Sequence, residues 1–229
     1  MKNVVDLFEK GDTKATLDNV INNLKDEISN MTNDQIISSD IDEWIKYFLA
    51  KYQIEPIILY IENVEQEFHE TKITSRNPFG GYAGEPEYIK EDGYSVVFHI
   101  PFDGDEELLH LRGSSCFLRR FQVDNVTKPS DNGLGKITLS LKYKKNDLEQ
   151  KEDVKEFVMH GFRSEFRYYE ETIKNINLEV EQFNNLLNSI VAEIMQNRKK
   201  KADAYISMSE KLNIPLRINP NAPNAAPII

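Results

Sequence analysis

Acids and histidines fall close together at two places in this chain. Asp103, Asp105 and Glu106 follow one another, with His99 and His110 on either side. Hard oxygen ligands so grouped could bind Mg²⁺ or Ca²⁺, which makes Asp103, Asp105 and His99 candidate metal residues. The same residues also read as a solvated Asp-Gly turn between two strands, the histidines lying on the sheet face. We favour that reading, because Asp-Gly is among the commonest turn dipeptides. At the second place, Glu67, His69 and Glu70 alternate in a potential strand. There His69 points with Glu67 and Glu70 points away, so a metal would lack about two of its usual ligands.

Cys116 is the single cysteine and lies in an apolar run with no histidine beside it in sequence. It reads as a core residue. It allows no intrachain disulfide and no multi-cysteine zinc site. Gly80, Gly81 and Gly84 make a glycine-rich loop without the Gly-Lys-Ser/Thr ending of a phosphate-binding loop, and it reads as a flexible, partner-contacting segment. No cofactor is implied.

Basic residues are the remaining chemical option. Arg163 and Arg167 stand one helical turn apart, and Arg198, Lys199, Lys200 and Lys201 cluster further on. They could contact a phosphate backbone. The simpler account is a set of cations at a helix C-terminus, opposing the macrodipole. We favour it, since the chain carries a net charge of −10 and Tyr205 is the only aromatic residue near the basic run.

Most of the sequence describes a scaffold for such residues. From Asp153 to Lys201, apolar residues recur at Phe162, Phe166, Tyr169, Ile173, Ile176, Val180, Phe183, Leu187, Ile190 and Ile194, in steps of four and three. That is a heptad stripe sustained for about four heptads. A second apolar row (Phe157, Leu186, Val191, Met195) widens it, so the helix packs on a domain as well as along another helix. A helix so long either protrudes or bends, at Gly161 or at Asn184-Asn185. If it protrudes, Phe166, Tyr169, Ile173, Ile176, Val180, Phe183, Leu187 and Ile190 form an interface for a second copy or a protein partner. The alternative is that the stripe is consumed inside one domain.

Ahead of it, Val4 to Phe8 reads as one helical turn ended by Gly11. A helix capped by Asp12 or Thr13 then runs to about Met31, followed by a polar loop from Thr32 to Ser39. Asp40, with Glu43 in a capping box, starts a helix from Ile41 to Tyr52. Ile57 to Val64 is β-branched and reads as a strand that could continue to Ile73. Tyr94 to Ile100 is a strand stopped by Pro101, and Leu108 to Phe121 holds another, broken near Gly113. Lys136 to Lys145 alternates cleanly and is a half-buried antiparallel strand. A short helix from Ala204 to Leu212 precedes a tail rich in Pro, Asn and Ala.

The fold class is therefore α+β, with N-terminal helices, an antiparallel sheet of about four strands and a long C-terminal helix. The expected sections are 1–56, 57–146, 147–213 and a linker-like 214–229. Forty per cent hydrophobic residues, 12 Phe and 10 Tyr suffice for a real core. No signal-like leader or long apolar run is present, which argues for a cytoplasmic protein with no membrane partner.

Two stretches carry a resemblance. One is Ile100-Pro101-Phe102-Asp103-Gly104-Asp105 with Arg112-Gly113-Ser114-Ser115-Cys116-Phe117. The other is Glu181-Gln182-Phe183-Asn184-Asn185-Leu186-Leu187, then Arg198 to Lys201, Leu212-Asn213-Ile214-Pro215-Leu216 and Asn221-Ala222-Pro223. From Ile100 to Pro223 the chain resembles the N-terminal region of bacterial proteins that carry a downstream PD-(D/E)XK restriction-endonuclease-like domain. It departs from that pattern at Gly113, where proline is usual. The resemblance implies a regulatory or assembly part without the cutting part, linked to defence against foreign DNA. Its partners would be a nuclease domain or subunit, with nucleic acid engaged indirectly.

A nuclease of that type needs an acid on one strand and acid-x-Lys on the next. Leu139-Ser140-Leu141-Lys142 is the best strand ending, with Ser where the second acid belongs. Glu149-x-Lys151 and Asp153-x-Lys155 fit the spacing but sit at a helix start, where acids are expected anyway. The leading expectation is a non-catalytic interaction and assembly module. A metal-dependent phosphodiesterase using Asp103 and Asp105, and a nucleic-acid-binding arm at the basic cluster, are the alternatives.

Overall fold

The computed structural model describes residues 4–77, 80, 84, 86–115, 117–130, 133–213 and 226–227. Cys116, Gly81 and most of the tail lie outside them. The fold is α+β. In order the elements are β1 (Val5–Leu7), β2 (Gly11–Asp12), α1 (Thr13–Asn30), α2 (Asn33–Ser38), α3 (Ile41–Tyr52), β3 (Ile58–Leu59), β4 (Glu65–Arg76), β5 (Tyr88–Asp103), β6 (Leu111–Arg112), β7 (Phe121–Val123), β8 (Asn125–Thr127), β9 (Gly135–Lys144), α4 (Lys145–Glu149) and α5 (Val154–Lys211). The chain forms two compact units, Met1–Gly11 with Pro56–Asn177, and Asp12–Glu55 with Leu178–Ile229. Each is built from separated stretches, so the units differ from the contiguous sections expected from sequence.

The first unit is built on an antiparallel sheet of five strands, in the order β3-β5-β9-β8 with β4 also paired to β5. Strand alternation sets its apolar face. Phe98, Ile100, Phe102, Ile137 and Leu139 are buried, and on the opposite face His99, Lys136, Thr138 and Ser140 are polar, with Val97 a buried apolar exception. The first half of α5 contributes aromatic rings to this core. Phe98 stacks on Phe162 (4.4 Å between centroids), Phe162 on Phe166, and Phe166 on Tyr169. Tyr169 meets Phe121 edge-on, and Phe121 meets Phe8 edge-on. One aromatic ladder thus explains why the heptad positions here are Phe and Tyr. Gly161 permits close approach, since a Cβ there would stand 2.5 Å from the Tyr143 hydroxyl oxygen.

The second unit packs α1 to α3 with Leu178–Lys211 of α5. Its core includes Leu17, Leu24, Ile28, Trp44, Phe48, Phe183, Leu187, Val191 and Met195. The caps follow from sequence. Asp12 accepts the Ala15 N–H at 3.0 Å, and Asp40 accepts the Asp42 N–H at 2.8 Å.

Several local expectations are corrected. Val5–Leu7 is a strand paired with β7, not a helical turn; its β-branched start finds a distant partner. Phe8, at φ 60°, turns the chain out of it. The polar loop contains α2, nucleated by a reciprocal Thr32–Gln35 capping box. Only Ile58–Leu59 of the first expected strand pairs; β4 begins after it at Glu65. Pro101 lies inside β5 rather than ending it, because its carbonyl accepts the Tyr60 N–H at 2.9 Å and no donor is required of it. The strand expected over Leu108 to Phe121 opens as part of a 3-10 helix, Glu106–His110; strand pairing is kept at β6, which ends before Gly113, and resumes at Phe121 in β7. The long helix and the short terminal helix are one helix, α5, with no break at Gly161 or Asn184.

Candidate functional site

The first unit exposes an unusual strand. β4 pairs with β5 along its whole length, from Glu65 opposite His99 to Arg76 opposite Tyr88. Among the described residues, no strand pairs with its other edge. Residues 65–70 are all exposed. Phe68 is 57% exposed and stacks on Tyr94 at 4.6 Å. A long open edge offers backbone donors and acceptors to another strand, and proteins usually guard such edges with charged side chains, proline, bulges or cover. β4 contains no proline. Its charges are segregated, with Glu65, Glu67 and Glu70 in the first half and Lys72 and Arg76 in the second.

The sheet register also gathers a small polar cluster. Glu67 accepts from His69 Nε2 at 3.2 Å and faces His99 Nε2 at 3.4 Å. The His69 and His99 contacts hold the Glu67 carboxyl below its usual value. His99 Nδ1 lies 3.2 Å from Thr138 Oγ1 on β9. Sequence alternation places Glu67 with His69; His99 joins only through the pairing of β4 with β5, which sequence does not disclose.

The metal candidates are not brought together. Asp103 accepts the Gly104 N–H at 2.9 Å within the turn, and Gly104 adopts φ 97°. Asp105 accepts the Glu107 N–H at 3.0 Å and caps the 3-10 helix. His99 belongs to the Glu67 cluster instead. Among the described residues, no group of three or more His, Cys, Asp and Glu could hold a metal ion. Asp103, Asp105 and His99, weighed above as metal candidates, are here a turn residue, a helix cap and a sheet-face contact, and the turn is the reading favoured from sequence. Asp153 accepts the Glu156 N–H at 2.9 Å, the helix-start role expected of it.

The heptad stripe is consumed within the chain. Phe166, Tyr169, Ile173 and Ile176 are buried in the first unit, and Phe183 and Leu187 in the core of the second. Val180 is fully buried, and Ile190 packs partly buried against the second core. These side chains fill the chain's own interiors, so they do not present the partner face expected of a protruding helix.

The basic residues divide. Arg198 donates to the Met31 carbonyl at 2.5 Å and to Asn33 Oδ1 at 2.8 Å, satisfying the end of α1. Arg163 pairs with Glu156, and Arg167 with Glu171, both at 3.8 Å. Lys199, Lys200 and Lys201 are exposed. They sit within α5, which runs on to Lys211, so they do not cap its C-terminus.

A separate cavity of about 340 Å³ is lined by Leu7, Phe8, Arg112, Phe117, Arg119 and Phe121, among others. The Arg119 guanidinium lies over the Tyr168 ring at 4.6 Å and pairs with Glu165, so its charge is already matched. Among the described residues, no helix is long and apolar enough to cross a membrane. No protein-family model, curated protein or solved structure matches the chain.

Proposed function

We propose that this chain is a non-catalytic interaction and assembly module that docks through the open edge of β4. The observation that carries the reading is a twelve-residue strand that, among the described residues, is paired on one side only, with residues 65–70 exposed. Strand addition to such an edge uses backbone hydrogen bonds for affinity and alternate side chains for selectivity. The heptad stripe cannot serve this role, because its residues are buried. The sequence resemblance extends the reading: the module would assemble or regulate a bacterial nucleic-acid-targeting effector of the defence type. That extension rests on the motifs around Ile100–Phe117 and Glu181–Leu187.

The test is a paired change on exposed positions of the edge, Gln66→Lys with Phe68→Lys. Both side chains are exposed, so the fold should survive the change. Associations of the wild-type chain, measured by light scattering alone and with co-purified partners, should be lost in the variant. A variant that keeps every wild-type association would show that docking uses another surface.

A further inference from the structure

We propose that the occupant of the β4 edge is β4 of a second copy, paired antiparallel about a two-fold axis at Thr71. This inference rests on the assembly reading above and names its partner. The charge order of the strand is the first argument. An antiparallel copy brings the basic half, with Lys72 and Arg76, alongside the acidic half, with Glu65, Glu67 and Glu70. A parallel copy would set each half against its like.

The register follows from charge and face. A two-fold perpendicular to the sheet keeps the apolar faces of both copies on one side. Residues of equal parity must then oppose one another, because side chains alternate along a strand. Two such registers engage nearly the whole strand, one centred on Glu70 and one on Thr71. Centring on Glu70 places that carboxylate opposite its own copy, and directly opposed like charges are destabilising. Centring on Thr71 places Thr71 opposite Thr71 and Glu70 opposite Lys72, twice by symmetry. It also sets Gln66 opposite Arg76 and Phe68 opposite Thr74.

The side chains are free to make this exchange. Lys72 pairs with Asp92 across β4 and β5, but both side chains remain well exposed, 64% and 66%. An exposed pair of that kind holds Lys72 loosely. Glu70 and Arg76 are exposed. The seam would also shield Phe68 and extend the sheet, so that each open edge closes the other. An isologous interface of this kind closes at two copies and does not propagate.

The test is charge reversal with restoration, read as self-association by sedimentation equilibrium. Glu70→Lys alone and Lys72→Glu alone each place like charges opposite one another twice. Each should raise the dimer Kd by about tenfold. The double variant Glu70→Lys with Lys72→Glu should return it to near the wild-type value. Hydrogen exchange of residues 65–76 is followed in parallel. Single reversals that leave the Kd unchanged, or a double variant no better than either single one, would overturn the Thr71 register. A chain that stays single at every concentration, while its β4 amides gain protection when a different protein binds, would overturn self-pairing and leave the assembly reading standing. A dimer whose β4 amides exchange at the free rate would contradict both.

Discussion

Asn184 holds the backbone of Ile54 by both of its amide groups. Its Oδ1 accepts the Ile54 N–H at 3.1 Å, and its Nδ2 donates to the Ile54 carbonyl at 2.7 Å. Among the described residues no strand pairs with the extended chain after α3 there, so a side chain supplies the pairing that its backbone needs. Asn177, two helical turns earlier, does the same for Ile57, at 3.0 and 2.7 Å. Asn184→Ala should lower stability by about 2 kcal/mol, the sum of two ordinary net hydrogen bonds. Asn184→Asp should cost at least as much, because it sets a carboxylate oxygen against the Ile54 carbonyl. Urea midpoints check both; an unchanged midpoint in Asn184→Ala would show the contacts to be idle.

Gly161 and Tyr143 set a second expectation. In the wild type, Gly161→Ala should destabilise, because the new methyl would meet the Tyr143 hydroxyl at 2.5 Å. Tyr143→Phe removes that oxygen, and the helix preference for alanine over glycine, about 0.8–1 kcal/mol, should then show through. Gly161→Ala is thus expected to change sign between the two backgrounds. The same cost in both would mean that the hydroxyl is not the obstacle.

Arg198 and its lysine neighbours should behave differently. Arg198→Ala removes the donor to Met31 and Asn33 and should cost roughly 1.5–3 kcal/mol, the range for bonds from a charged donor. Lys199→Ala and Lys200→Ala alter exposed side chains and should stay within about 0.5 kcal/mol. Thermal unfolding of the three variants compares them. Equal losses would contradict the separation of one structural arginine from solvent-facing lysines.

Tyr169 gives a pH signature. Burial pushes its hydroxyl up from 10.0 to about 12, with the Glu165 charge adding to the rise. The folded value lies above the unfolded one, so folding favours the protonated form. Its contribution is complete below pH 10.0 and is lost as pH rises from there to about 12. Tyr169→Phe should flatten the alkaline fall in stability. It should also cost about 1 kcal/mol near neutral pH, through the lost 2.9 Å bond to the Gln122 carbonyl. An alkaline fall as steep as in the wild type would place its origin in other tyrosines.

Sequence reading reached the elements whose signals are local. The Asp12 and Asp40 caps and the helix Ile41–Tyr52 stand where spacing puts them, although Asp40 takes the Asp42 N–H and forms no box with Glu43, and the strand expected over Lys136–Lys145 is found at Gly135–Lys144. It failed where distant partners decide. Val5–Leu7 becomes a strand because Phe121–Val123 lies beside it, and His99 meets Glu67 because β4 pairs with β5 in one register. The heptad stripe shows the same limit. Periodicity locates an apolar face correctly, but does not say whether that face meets a sheet and helices of the same chain or another molecule. The open edge of β4 leaves little trace in sequence, since its first half, residues 65–70, is exposed on both faces and lacks the apolar alternation that marks a half-buried strand.

The most direct test of the assembly account is hydrogen exchange of the β4 amides, residues 65–76, in the dissociated and associated forms. An open edge leaves the outward N–H groups to water, and strand addition engages them. Association is expected to slow exchange selectively in β4, leaving the buried strand β9 unchanged. Association with no added protection in β4 would contradict docking through that edge.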